Sequence, residues 1–302
     1  MNQKTVRSNL LLALAAFIWG VAFVAQSVGM EYVGPFTFNA SRFLIGGTVL
    51  IPCIALLKKV NGKNEKEEKE RMEQQRKDGI VGGICCGMAL FVASSFQQFG
   101  VLYTTVGKAG FITALYIVIV PILGIFMKKK AAWTVWVSVA IATVGMYLLC
   151  MTEGLSIAKG DVYVFICAIC FSFHILIIDH FSPKADGVVI SCIQFFTAGV
   201  LSFIPALMME KPEMASILAA WAPILYAGVM SCGVAYTLQV VAQKNTDPVI
   251  ASLILSLESV FSLIAGWVIL GQKLSAKELL GCVLVFCAIL LAQIPMKSKN
   301  SH

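Results

Sequence analysis

Glu258 and Arg42 are charged residues set inside long apolar runs, and a scatter of amide, hydroxyl and aromatic side chains interrupts similar runs elsewhere in the chain. A carboxyl in such a setting could exchange a proton, touch a solute, or hydrogen-bond a neighbouring helix as structural glue. An arginine there could hold an anionic group such as a carboxylate, pair with an acid, or snorkel to the nearest polar surface, the usual behaviour near a helix end. The uncharged candidates are Trp19, Gln26, Asn39, Ser95, Gln97, Gln98, Tyr116, Ser172, His174, Gln194, Tyr236, Gln239 and Ser256. Their amides and hydroxyls both donate and accept, which suits zwitterionic or amide-bearing solutes. Trp19 is either a packing residue or a wall able to stack on a flat solute.

Other chemistries lack their residues. Cys167, Cys170 and His174 place three soft ligands on neighbouring helical turns, but no fourth ligand stands beside them, so they read as packing residues plus one polar histidine. There is no Gly-x-Ser-x-Gly, no His-Glu-x-x-His and no adjacent carboxylate pair within a span, so an integral-membrane enzyme is disfavoured and no cofactor or metal is expected. No phosphate-cradling loop follows a strand, which speaks against ATP hydrolysis.

The elements that must position these residues are helices that cross a bilayer. Hydrophobic residues make up 59% of the 302, charged residues 13%, and mean hydropathy is +0.85, a composition that would leave a soluble domain without a polar coat. Spans are expected at about 9–28, 35–57, 80–103, 108–127, 133–151, 161–178, 188–209, 216–240, 249–270 and 278–295, each near the length that crosses about 30 Å of hydrocarbon. All ten cysteines fall in these spans, where cysteine acts as a small hydrophobe and does not report a redox compartment. The first apolar run follows Lys4 and Arg7 like a secretory signal, but it has no small-residue cleavage pattern and reads as a retained helix.

Only the connection Lys58–Asp78 is long and charged. Its Glu65/Lys69, Glu67/Arg71 and Glu73/Lys77 pairs stand at i, i+4, which predicts a solvated helical extension of a span. With a cytoplasmic N-terminus, the inner segments carry 17 Lys and Arg, the outer loops carry 5, and Arg42 completes the 23. Positive charge is retained inside, so both termini and the 58–78 segment are expected in the cytoplasm of a multi-pass plasma-membrane protein. The net charge of +7 then reports topology, with no nucleic-acid partner implied. Trp133, Trp136, Trp221 and Trp267 are expected in interfacial belts.

Ten crossings divide into two sets of five, and an odd number per set turns the second half upside down. Aligning 38–52 with 191–205 pairs Phe43 with Phe196, Gly46 with Gly199, and Ile51-Pro52 with Ile204-Pro205. The fold expected is therefore all-α and integral to the membrane, with ten transmembrane helices as two inverted five-helix repeats, 1–152 and 153–302. Gly83 and Gly87 form a small-xxx-small pattern for close helix approach, and Pro121 is a candidate hinge in span four.

The run from Ser256, SLESVFSLIAGWVILGQKLSAKELLGCVLVFCAILLAQ, resembles the end of the second EamA repeat of the drug/metabolite transporter superfamily. AAFIWGVAFV in span one, Arg42 followed by an apolar helix, and Pro121 extend the resemblance over nearly the whole chain. Two residues depart from the pattern. Ser259 stands where the family usually has the proline of a Glu-Pro pair, which should leave span nine straighter, and Gln272 replaces a loop glutamate. The resemblance implies a central cavity lined by the first, third, fourth, sixth, eighth and ninth helices. It implies a permease that exports or exchanges a small metabolite by alternating access, with amino acids or related compounds the leading class and protons a candidate coupling ion. Trp19, Asn39, Arg42, Ser95, Gln98, Tyr116, His174, Tyr236 and Gln239 are the candidate solute contacts, with Glu258 either coupling or structural. A lipid or polyisoprenoid flippase on the same fold is the nearest rival, and a channel is the rival from another class. Partners beyond the solute and the bilayer, and the oligomeric state, are left open by the residues.

Overall fold

A computed structural model describes residues 3–60, 66–126, 133–150, 158–271 and 275–292, and every regular element among them is helical. The helices are α1 (Gln3–Gly29), α2 (Pro35–Val60), α3 (Lys66–Val101), α4 (Val106–Thr113), α5 (Tyr116–Phe126), α6 (Trp133–Cys150), α7 (Lys159–Phe181) and α8 (Gly187–Pro205). They continue with α9 (Met214–Ala219), α10 (Trp221–Leu225), α11 (Thr237–Gln243), α12 (Pro248–Leu255), α13 (Leu257–Leu270) and α14 (Ala276–Ala292). Two π-helical stretches intervene, Ala206–Glu210 and Tyr226–Tyr236.

Among the described residues, eight helical stretches are long and apolar enough to cross a membrane, and the apolar parts of α6 and α14, Trp133–Gly145 and Leu279–Leu291, are shorter. Burial runs opposite to that of a water-soluble bundle. Asn39, Arg42, Gln98, His174, Gln194, Gln239 and Glu258 are buried, while Leu10, Phe17, Ile125, Phe126, Met208, Trp267, Val268 and Phe286 are exposed. Such inversion is stable only where the surrounding medium is hydrocarbon, and helices suit that medium because each satisfies its own backbone. Trp133, Trp221 and Trp267 are exposed and Trp136 half-buried.

Helix contacts are made where small residues let backbones approach. A Cβ at Gly83 would lie 2.6 Å from that of Ile193, and one at Gly87 equally close to Thr197, so the expected small-xxx-small face packs α3 onto α8. Gly47 receives the ring of Phe196 and Gly199 receives Leu44, which seats α2 on α8. Gly20 meets Phe261 across the α1–α13 contact. In turn α3 packs along α7, and α6 along α14. The charged segment before span three is helical from Lys66, continuous with the span, and carries the Glu73–Lys77 ion pair at 2.9 Å. Glu65 and the side chains of Glu67, Lys69 and Arg71 lie outside the described residues, as do Gln272 and residues 293–302.

Two expectations about helix shape need correction. Span four does not bend at Pro121. Helix α5 continues through Pro121, and the break lies at Ala114–Leu115, between α4 and α5, where the Leu115 N–H bonds the carbonyl three residues earlier. Span nine is not straightened by Ser259. It breaks at Ser256, where the hydroxyls of Ser252, Ser256, Ser259 and Ser262 each donate to the carbonyl three residues earlier, at 2.7–2.9 Å. Such back-bonding competes with the helical ladder and bends it, so a serine stripe does here what proline does elsewhere.

Candidate functional site

The two breaks bring a tyrosine and a carboxylate together. Tyr116 is the third residue past the end of α4, Glu258 the third past the end of α12, and the Tyr116 hydroxyl donates to Glu258 Oε1 at 2.9 Å. Both are buried and both line one interior cavity. Its walls come from α1 (Trp19, Phe23, Gln26), α2 (Arg42), α3 (Gln97) and the α4–α5 break (Thr113, Tyr116). The later half adds Phe171, His174 and Ile175 of α7, Ser231 and Tyr236 of the second π stretch, Gln239 of α11, Leu255 of α12, and Glu258.

Arg42 corrects an expectation. Far from snorkelling, it is 1% exposed, with its guanidinium carbon 4.8 Å from the centre of the Phe43 ring and 5.7 Å from that of Phe38. Neither Nε nor Nη2 has a hydrogen-bond partner, and the residue joins no ion pair among the described residues. Its place follows from α2, whose Gly46 and Gly47 pack closely against Cys232 and Phe196 and seat the helix in the bundle, with Arg42 turned inward.

An aromatic cluster forms one side. Trp19 and Tyr236 have ring centres 4.5 Å apart, and Tyr236 also meets His174 and Phe195 edge-on at 5.9 and 5.8 Å. Trp19 Nε1 donates to the Ser231 carbonyl at 3.4 Å, within the π stretch. His174 Nε2 pairs with Gln194 Oε1 at 3.1 Å, while Nδ1 has no partner. Gln26 donates to its own helix at Ala22, and the side-chain carbonyls of Gln26 and Gln239 are left without donors. A π turn widens the helix and is common at functional sites, and this one was not foreseen from the sequence. Gly228 and Gly233 were the signal available.

Seven expected residues thus meet around one space: Trp19, Arg42, Tyr116, His174, Tyr236, Gln239 and Glu258. Three do not line it. Asn39 donates to the Ser94 carbonyl of α3 at 3.1 Å and serves the α2–α3 contact. Ser95 donates back to Phe91 within its own helix at 2.7 Å. Gln98 is fully buried outside the cavity, with both amide atoms unpartnered. The sequence reading missed Phe23, Thr113, Phe171, Ile175 and Leu255, since apolar wall residues look like every other apolar residue of a span. Among the described residues no group of three His, Cys, Asp or Glu is gathered as a metal site, and Cys167, Cys170 and Cys192 are free thiols.

One end of the bundle is organised differently. Asp161, at the start of α7, accepts from Thr104 Oγ1 and the Ala158 N–H, both at 2.8 Å, and pairs with Lys108 Nζ at 2.6 Å. Pro205 opens the end of α8 into the first π stretch, which stops at left-handed Lys211 (φ 49°). That turn swings Glu210 over the start of α2, where it accepts from the N–H groups of Phe36 (2.9 Å) and Thr37 (2.7 Å) and from Thr37 Oγ1 (2.7 Å). Gly34 leaves the room for it, since a Cβ there would lie 2.3 Å from the Glu210 carboxyl carbon. The rings of Phe36, Phe99 and Tyr163 connect the two carboxylates.

The sequence profile of the EamA-like transporter family matches residues 6–151 and 158–293. An uncharacterized transporter of Archaeoglobus fulgidus is 29% identical over 96% of this chain and 87% of its own length. The uncharacterized transporter YcxC of Bacillus subtilis is 21% identical over 96% of this chain and 93% of its own. A crystal structure of a protein 18% identical in sequence superposes with a TM-score of 0.73 over 95% of this chain and 96% of that one, a likeness of fold.

Proposed function

This chain belongs to the EamA-like transporter family, and from that premise we propose that it exports or exchanges a small metabolite, with amino acids or related compounds the leading class. The observation that carries the reading is a single interior space that brings a buried arginine, a hydrogen-bonded glutamate and uncharged amides together among aromatic walls contributed by both halves of the chain. Polar groups at hydrocarbon depth are costly unless they face such a space, and the uncharged donors and acceptors match zwitterionic solutes.

The mechanism we assign is alternating access between two inverted halves, 1–152 and 153–302, each crossing the membrane five times. Support comes from helix packing that keeps its pattern when the halves are exchanged. Helix α4 packs on α13 as α12 packs on α5, and α3 packs on α7 as α1 packs on the Tyr226–Tyr236 stretch, while α2–α8 and α6–α14 map onto themselves. The broken fourth helix of each half, with its eight-residue first segment, has the same symmetry. The charge asymmetry supports cytoplasmic termini, which reporter fusions at both ends and within 58–78 test directly. An external 58–78 segment would reverse the orientation.

The deciding experiment is a transport screen in proteoliposomes with labelled amino acids, amines and nucleobases. Saturable uptake with counter-transport of an amino acid is expected, and flux without saturation would mark a channel. Glu258 is the proposed proton-coupling group. Glu258→Gln should keep the fold and bind solute, yet make net transport indifferent to an imposed pH gradient. A variant that still responds, or a wild type that does not, returns Glu258 to the structural role its bond to Tyr116 also fits.

A further inference from the structure

The geometry points to Arg42 as the receptor for a carboxylate group of the solute, an inference that rests on the transport reading and sharpens it to solutes bearing an acid. A guanidinium 1% exposed inside a hydrocarbon-embedded bundle ordinarily acquires a counter-ion or a full set of acceptors, because an unpaired buried charge is strongly destabilising. Arg42 has neither. Its Nε and Nη2 lack acceptors, and neither carboxylate of the end clasps is paired with it. Glu258, the acid that shares the cavity, receives the Tyr116 hydroxyl and forms no ion pair with Arg42.

What supports the guanidinium is aromatic. Phe38 and Phe43 stand near its carbon at 5.7 and 4.8 Å, a cation–π support that takes up no N–H group, and Nε and Nη2 remain without acceptors. The edge of a guanidinium is the fork that fits a carboxylate with two parallel hydrogen bonds. Arg42 lines the cavity, so an acceptor arriving from that side completes both the charge and the hydrogen bonding. The apolar lining residues Phe23, Phe171, Ile175 and Leu255 suit an apolar side chain on the same solute. A cationic amine would meet an unneutralised guanidinium there, and a neutral amide could accept from it but not balance its charge.

The test uses four probes of one carbon skeleton on the purified full chain in proteoliposomes: L-leucine, 4-methylvalerate, L-leucinamide and isoamylamine, each as a competitor of labelled L-leucine uptake and as a labelled substrate. The expected result is uptake and competition by the two acids, with the amide and the amine at least tenfold weaker. Arg42→Gln should lower apparent affinity for the acids at least tenfold, and Arg42→Lys should recover part of that loss by restoring the charge without the fork. Amide or amine handled as well as the acids, or an Arg42→Gln protein with undiminished acid affinity, overturns the assignment while leaving transport itself standing. A wild type that takes up none of the four overturns both the assignment and the amino-acid reading. Should Arg42→Gln fail to fold, the wild-type comparison of acid with amide decides alone.

Discussion

The carboxylates at one end of the bundle and the polar groups of the central cavity are set among the same kinds of helix, yet they are satisfied in opposite ways. Asp161 and Glu210 each collect three partners, drawn largely from the other half of the chain. In the cavity, Arg42, Gln26, His174 and Gln239 all keep at least one buried atom without a partner. A buried donor or acceptor left unmade costs about 1–3 kcal/mol, so the cavity holds several such costs that the end clasps avoid. Unpartnered buried atoms also occur away from the cavity, as at Gln98 and the Asn39 side-chain carbonyl, so what sets the cavity groups apart is that they face a shared space as well. The contrast between the saturated clasps and the unsaturated cavity is one that substitutions can test.

Substitutions at the clasps should therefore change stability and leave solute affinity alone, and substitutions in the cavity should do the reverse. The largest stability effect is expected for Glu210→Ala, which strands the start of α2 and removes three hydrogen bonds, two of them from backbone N–H to a carboxylate. A loss of about 2–4 kcal/mol is expected, read by denaturant or thermal unfolding in detergent. Asp161→Ala follows at about 1–2 kcal/mol, because the Lys108 side chain is 27% exposed and its ion pair is discounted for solvent screening. If either variant weakens solute affinity more than it weakens the fold, the separation fails.

Trp19→Ala tests the other side. Losing the aromatic wall beside Tyr236 should cost about 1 kcal/mol of solute binding, roughly a fivefold rise in the half-saturation of uptake, with normal membrane insertion. Poor insertion with unchanged half-saturation would make Trp19 a packing residue. The smallest effect, within about 0.5 kcal/mol in either measurement, is expected for Ser95→Ala, whose hydroxyl serves only a carbonyl of its own helix. A larger loss of uptake there would show that the cavity extends beyond the residues now lining it.

Most of the fold was legible in the chain because hydrocarbon imposes a simple rule: a stretch of about 20 apolar residues becomes a helix whatever its neighbours are. Positions such as Trp19, His174, Gln239 and Glu258 could be singled out for the same reason, since a polar residue in such a stretch must face inward. Composition and spacing also marked Gly83 and Gly87 as a contact face, although not the partner helix α8.

Which inward residues share one space was decided by tertiary structure alone. Gln97 and Gln98 are neighbours in sequence, yet only Gln97 lines the cavity, because adjacent residues on a helix point about 100° apart and the rotation of α3 is set by its contacts with α7 and α8. The fate of Arg42 followed from close packing at Gly46 and Gly47, not from its distance to the end of α2. The break at Ser256 depended on hydroxyls bonding carbonyls three residues earlier, and the bond between Tyr116 and Glu258 joins residues 142 positions apart. Hydropathy is a local property that determines where helices form. The cavity is a product of how those helices are rotated and where they break, and those are properties of the packed whole.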